Sequence, residues 1–242
     1  MLGILAELAR YPDGISLEDM TRAAASSKPT VHRALACLRR SGFAVRNRHG
    51  QYVLGDEFLR LAFAHYEARP DHLRIAPALA ELAERYGETA HYAVLDGETV
   101  VYRAKVDPPS GALRLTSTVG GRNPAHSTGV GKLLLAYALP DDGSVLAWAG
   151  DRVLERRTEH TRTTAAALAA ELQTVRARGY AVDDQENEPG IVCVAVPVFL
   201  ASPTRPSGAV SISAPAYRTP LQVLARHVPA IRAALDGPAA IR

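Results

Sequence analysis

Within its first 55 residues the chain carries three stretches of helical periodicity, each with its own start and stop signals, followed by two short alternating runs. Residues 1–10 line Leu2, Leu5, Leu8 and Ala9 along one helical face, and Tyr11-Pro12-Asp13-Gly14 is a turn. Ser16 can cap a helix over Leu17–Ala24, with Asp19 three residues on giving a start like a capping box. After Ala25-Ser26, Ser27 can cap a third helix. Its Pro29 falls in the first turn, where a missing N–H costs nothing, and it runs through Val31, Ala34, Leu35 and Leu38 to Ser41-Gly42. Phe43-Ala44-Val45 and Gln51-Tyr52-Val53-Leu54 then alternate around Arg46-Asn47-Arg48-His49-Gly50, a hairpin with a basic tip. Helix, helix, short turn, helix and two-stranded wing is the order of a winged helix-turn-helix, in which the helix after the turn enters the major groove.

The charge is placed to match. Residues 1–60 hold nine Lys/Arg and six Asp/Glu, whereas residues 61–242 hold nineteen of each, so the whole excess of +3 lies in the first quarter. Residues 20–55 contain seven basic side chains and no acidic one, the electrostatic footprint of a polyanion binder. A solvated basic face is the plainer alternative. The candidate DNA contacts are Ser27, Lys28, Thr30, His32 and Arg33 at the start or on the outer face of the third helix, with Arg46 and Arg48 on the wing. Arg33 has the fork to pair with guanine, while Lys28 and the wing arginines suit phosphates.

Residues 56–70 read as a linker helix with Leu59, Phe63 and Tyr66 on one stripe and Pro70 ending it; a helix over about 73–86 stops at Gly87. From residue 89 the period changes. Runs on either side of Asp96-Gly97 predict a hairpin, with a further strand near Ala112–Val119, a loop over 120–131 and an apolar helix over Lys132–Ala138. A short helix and loop over 141–157, a helix over 164–178, strands opening at Tyr180 and over 191–200 and 208–214, and one closing helix over 219–235 complete the chain. The expected class is α+β: a DNA-binding domain over 1–55, a linker helix over 56–72, and a sensor and oligomerisation domain over 73–242 with an antiparallel sheet. No run approaches the ~20 apolar residues of a membrane span. The two cysteines, Cys37 and Cys193, exclude a disulfide framework and a cysteine zinc cluster. The start lacks the basic residues of a signal peptide, so a cytoplasmic protein without membrane association is expected.

The motifs resemble, in order and spacing, those of the IclR family of bacterial transcription factors. They are Thr30-Val31-His32-Arg33 with Gly42-Phe43; Gly87-Glu88-Thr89-Ala90-His91 with Leu95-Asp96-Gly97; Gly121-Arg122-Asn123-Pro124-Ala125-His126 with Thr128-Gly129-Val130-Gly131-Lys132; Gly179 through Asp184 with Glu188-Pro189-Gly190 and Cys193; and Ser211-Ile212-Ser213 with Pro215. One departure stands out. The turn between the second and third helices reads Ala25-Ser26 where the family carries a Gly, and Ala at a positive-φ position costs about 1 kcal/mol. The resemblance implies a GAF/PAS-like sensor domain, a homodimer or dimer of dimers on a palindromic double-stranded operator, and a small organic acid as effector. It places the backbone N–H groups of Gly129 and Val130 and the side chains of Asp183, Cys193, Ser211 and Ser213 on that effector.

Physical chemistry fits this reading. A glycine-rich stretch before a helix gathers N–H groups at an end carrying about half a positive charge, which suits a carboxylate. Ser211 and Ser213, two apart, share one face of a strand. Asp183 could accept from a ligand hydroxyl or carry a proton itself. Val94, Leu115 and Val194 are candidate wall residues, and aliphatic and aromatic acids both remain open. The acidic run 183–188 lacks calcium-loop spacing, so no metal or other cofactor is expected. Two other readings stand beside the regulator: a DNA-binding protein whose second domain only oligomerises, and a hydrolase using Cys193 or Ser211 with His126 and Asp183. No Gly-x-Ser-x-Gly elbow supports the latter.

Overall fold

The computed structural model describes residues 1–67, 71–108 and 115–236, and the chain divides into two compact units, Met1–Pro70 and Asp71–Arg242. In the first unit α1 (Leu2–Leu8), α2 (Leu17–Ala23) and α3 (Lys28–Arg40) precede β1 (Ala44–Arg46), β2 (Tyr52–Leu54) and α4 (Asp56–Glu67). Each of the first five elements gives its apolar face to one small core: Ile4 and Leu8, Met20, Val31, Leu35 and Leu38, Ala44 and Tyr52. Each Ile, Leu, Met or Val among these contributes about 1.5–3 kcal/mol when fully buried. Ser16 caps α2 as expected, accepting from the Asp19 N–H at 3.1 Å.

Ser27 differs from expectation. It stands at the N-cap of α3, but its hydroxyl pairs with Thr30 Oγ1 at 2.9 Å instead of a backbone N–H. Pro29, within the first turn, removes one of the N–H groups that such a cap would take. Ala25 adopts φ +44°, so the alanine does occupy the left-handed region at the turn.

The second unit comprises α5 (Asp71–Tyr86), β3 (Thr89–Asp96), β4 (Thr99–Val106), β5 (Arg122–Pro124), α6 (Gly129–Ala138), α7 (Asp142–Ala149), α8 (Ala165–Arg178), β6 (Ala181–Asp184), β7 (Ile191–Val198), β8 (Gly208–Pro215), α9 (Leu221–Arg226) and α10 (Val228–Asp236). Its strands form one antiparallel sheet in the order β5-β4-β3-β8-β7-β6. One face packs Tyr92, Val192, Val194, Val210 and Ile212 against α5, α9 and α10; the other packs Ala93, Ala181, Ala195 and Ala209 against α6, which α8 covers in turn. The small residues on the second face let the helices lie close.

Four expectations for this unit need correction. Residues 115–119 form no strand, while 112–114 lie outside the described residues, as do Pro70 and the side chain of Tyr66. The carbonyls of Leu115 and Ser117 accept from Lys105 Nζ, each at 2.9 Å, in place of a strand partner. The chain rejoins β4 only at Gly120–Gly121 and then forms β5, inside the expected loop. Helix α6 begins at Gly129, three residues earlier than expected, because Thr128 caps it by accepting from the Gly131 N–H at 3.1 Å. The closing helix is two helices, since Pro229 has no N–H with which to continue α9.

Candidate functional site

On the first unit α3 buries Val31, Leu35 and Leu38, and this leaves Lys28, Thr30, His32 and Arg33 exposed, as is Ser27 before it. The wing is held by Asn47, whose Oδ1 accepts from the N–H groups of His49 and Gln51, both at 3.0 Å. Arg48 is exposed at the tip. Arg46 is also exposed, but its Nε donates to the Gly50 carbonyl at 2.9 Å and its guanidinium lies 5.2 Å from the Tyr52 ring centre. It therefore has a structural task in the hairpin besides any contact it makes.

On the second unit strand register assembles a polar rung. Asp183 pairs with Cys193, Cys193 with Ser213, and Ser213 with Thr89. The next rung on the same face runs Ala181, Ala195, Ser211, His91 and Lys105. Gly129 of α6 lies over these rungs: a Cβ placed on it would come 3.1 Å from Cys193 Sγ and 3.6 Å from Ala195 Cβ. Between helix and sheet is a cavity of about 70 Å³. All six expected effector residues line it: Gly129, Val130, Asp183, Cys193, Ser211 and Ser213. Because Thr128 caps Gly131, the N–H groups of Gly129 and Val130 remain at the helix end facing this space.

The cavity also brings in residues that sequence reasoning missed: His91, Tyr102, Ser117 and Asn123. A bulge in β4 explains part of this. Tyr92 pairs with Ala104 but Ala93 with Tyr102, so Arg103 is an extra residue and the faces exchange there. Tyr102 and Lys105, three apart, consequently share the side that plain alternation would divide. Nothing in the local sequence marks that bulge. Leu115 does line the cavity, as expected. Val94 instead lines a groove with Leu95, Leu134 and Tyr137, and Val194 lies on the opposite face of the sheet, between Cys193 and Ala195.

Burial shapes the chemistry. It pushes the Asp183 carboxyl up to about 7, against the pull of the nearby Lys132 ammonium. That carboxyl accepts from the Glu186 N–H at 2.7 Å. Burial, with the Asp183 charge beside it, pushes the Cys193 thiol up to about 12, the reverse of a reactive thiolate. His91 is pushed down to about 4 by burial and by the Lys105 ammonium. The hydrolase reading fails on position as well: His126 Nε2 is spent on the Glu155 carbonyl at 2.9 Å, and its ring does not line the cavity.

Behind the helix end lies a buried ionic cluster. Lys132 Nζ, fully buried, meets Glu171 Oε1 at 3.3 Å and also the Glu186 carboxylate. Arg162 pairs with the same two carboxylates at 3.0 and 2.6 Å, and Arg178 with Glu171 at 3.2 Å. The cluster ties α6, α8 and the loop after β6, and so fixes both edges of the cavity.

Residues 72–238 match the family model described as the bacterial transcriptional regulator IclR C-terminal domain, and residues 1–48 match the IclR helix-turn-helix domain. The chain is 32% identical over 215 residues to the HTH-type transcriptional regulator BhcR of Paracoccus denitrificans, covering 88% of this chain and 76% of that protein. Among solved structures, the Thermotoga maritima IclR superposes with a TM-score of 0.78 at 27% identity, covering 99% of this chain and 94% of that one. An IclR homolog from Microbacterium hydrocarbonoxydans, complexed with 4-hydroxybenzoate, shares the fold with a TM-score of 0.77 at 23% identity, covering 96% of each chain.

Proposed function

The chain belongs to the IclR family of bacterial transcription regulators, and from that membership we propose an effector-responsive regulator that senses a small carboxylic acid in the cytoplasm. The relatives are DNA-binding regulators, not enzymes. The observation carrying the finer reading is the meeting of a helix N-terminus with a buried polar rung. The N–H groups of Gly129 and Val130, free among the described residues, receive the carboxylate, and Asp183, Cys193, Ser211 and Ser213 surround it. An Asp183 carboxyl that holds its proton near neutral pH removes the repulsion that a carboxylate ligand would otherwise meet there. No metal or other cofactor takes part.

DNA binding is assigned to α3 and the wing, with Ser27, Thr30, His32 and Arg33 at the groove and Lys28, Arg46 and Arg48 at phosphates. The working form is a homodimer or dimer of dimers on a palindromic operator. The apolar side chains that α4 exposes, Phe58, Leu59, Leu61 and Phe63, support a partner copy. Effector binding changes operator affinity only if the acid prefers one state of the dimer, with a typical coupling of about 1–3 kcal/mol.

The test is a gel shift on the DNA upstream of the chain's own reading frame, at several salt concentrations, with and without a panel of small carboxylic acids. Salt-dependent binding that one of the acids strengthens or weakens is the expected result. DNA binding that no acid alters, with no acid raising the melting temperature, would leave the second domain as an oligomerisation unit only.

A further inference from the structure

The far side of the cavity holds a group that the carboxylate reading does not use. His91 lines the cavity, is 2% exposed, and among the described residues its Nδ1 has no hydrogen-bond partner. The other ring nitrogen, Nε2, pairs with Ser117 Oγ at 2.8 Å. Lys105 braces this arrangement from below, donating to the carbonyls of Leu115 and Ser117. A buried, unpaired ring nitrogen costs free energy that a ligand atom can recover. Its chemistry is restrictive. If Nε2–H donates to Ser117, Nδ1 is an acceptor; if the Ser117 hydroxyl donates to Nε2, Nδ1 carries a proton and donates. A hydroxyl, being donor and acceptor together, satisfies either state, whereas a methyl group satisfies neither.

Position and size narrow the ligand further. Gly129 stands over Cys193 and Ala195, and Ala195, Ser211 and His91 lie on one rung. Two strand spacings separate the ends of that rung, roughly 10 Å between backbones. The imidazole reaches into part of that span and leaves room for a short carbon chain. The volume of about 70 Å³ is roughly half the ~150 Å³ that accommodates a benzene ring. Most of the cavity's lining side chains are polar, which suits a hydroxylated chain over an apolar one.

We infer that the effector is a short hydroxycarboxylate of three or four carbons, its carboxylate at Gly129 and Val130 and its hydroxyl on His91 Nδ1, so that His91 sets the preference for a hydroxyl. The inference rests on reading this cavity as the effector site. It is tested by calorimetric titration of the full chain with glycerate, 3-hydroxybutyrate, butyrate and 4-hydroxybenzoate, repeated on His91→Phe and Gly129→Ala. Glycerate or 3-hydroxybutyrate should bind at least about tenfold tighter than butyrate, and 4-hydroxybenzoate no tighter than butyrate. His91→Phe should abolish the preference for the hydroxyl, and Gly129→Ala should weaken every acid alike. Equal affinity of the native chain for butyrate and both hydroxy acids overturns the inference without needing a folded variant, as does an undiminished preference in His91→Phe or tighter binding of the aromatic acid. If none of the acids binds, or Gly129→Ala leaves all of them unaffected, the effector-site reading falls first, and this inference with it.

Discussion

A Cβ placed on Gly131 would lie 2.2 Å from the carbonyl oxygen of Ala125, a distance no real side chain tolerates. The start of α6 and the turn before it are thus pressed together at one backbone contact. Gly129, two residues earlier, meets no backbone so closely; its nearest neighbour is the Cys193 sulfur at 3.1 Å. The two glycines should therefore separate stability from binding. Gly131→Ala should destabilise the second unit by about 1–3 kcal/mol or more through overpacking, seen as a lower urea midpoint. Gly129→Ala should keep most of the stability and lose carboxylate binding. Similar midpoints for Gly131→Ala and the parent chain would contradict this.

Ala25 sits at φ +44° in the turn between α2 and α3. A left-handed alanine is strained by roughly 1 kcal/mol relative to glycine. Ala25→Gly should raise the stability of the first unit by about that amount, less the entropy that glycine adds to the unfolded chain. Thermal unfolding followed by circular dichroism reads the shift. A lower melting temperature would mean that the turn does not carry the strain its φ implies.

The turn shows what was legible in the sequence and what was not. Periodicity and caps marked nearly every helix, because each rule acts over a few residues: Ser16 with Asp19 is complete within one turn. The wing and the Asp96-Gly97 hairpin were legible for the same reason. The six effector residues were placed by resemblance, not by pattern, since alternation alone allows Ser211 and Ser213 to face solvent as readily as a cavity. Tyr102 was missed because a bulge at Arg103, set by how β4 pairs with β3 and not by any local residue pattern, moves it to the cavity face, and His91 because alternation alone does not say which face of its strand meets a cavity. The described part, 115–119, of the strand expected over Ala112–Val119 is not one, because a lysine side chain takes the carbonyls that a neighbouring strand would have used.

Lys132 places its ammonium, with no solvent exposure, between Glu171 and Glu186. Removing it leaves two buried carboxylates to Arg162 and Arg178 alone. Breaking a buried ion pair from one side costs about 3–5 kcal/mol, because the remaining charge is uncompensated. Lys132→Met should show a loss of that order in urea unfolding. Lys132→Met combined with Glu186→Gln should recover part of it, since the second change removes the orphaned charge. A double variant less stable than the sum of the two single losses would refute that account.

Two buried groups give stability opposite dependences on pH. The folded state holds Asp183 near 7, above its usual value of 3.8. Between about pH 4 and 7 the folded chain thus keeps a proton there that the unfolded chain releases, and stability falls as pH rises, with the full deficit above pH 7. His91 is held near 4, below 6.5, so in the window between those values the unfolded chain binds the extra proton and stability rises with pH. In the parent the two trends offset each other. Asp183→Asn, whose amide oxygen can still accept from the Glu186 N–H, should gain stability relative to the parent from pH 4 to 7 and hold a constant difference above. Melting curves at five pH values decide it: parallel profiles for parent and variant would show that Asp183 titrates normally.

Arg33 and Arg48 should fail in different ways on DNA. Arg33 is exposed on α3, on the side opposite the buried Val31, Leu35 and Leu38, where a guanidinium can reach a base edge. Arg48 is at the wing tip, placed for phosphate. It is a cleaner probe of phosphate contact than Arg46, whose guanidinium also braces Gly50 and Tyr52. Losing a base contact removes about 1–3 kcal/mol of discrimination, so Arg33→Ala should bring operator and random DNA closer in affinity. Losing a phosphate contact weakens all sequences alike and lowers the salt slope by about one per site contacted, which is the result expected of Arg48→Ala. Fluorescence anisotropy on both DNAs across a salt series resolves the two effects. Equal losses on operator and random DNA for Arg33→Ala would move that residue to the backbone, and an unchanged salt slope for Arg48→Ala would take the wing tip off the phosphates.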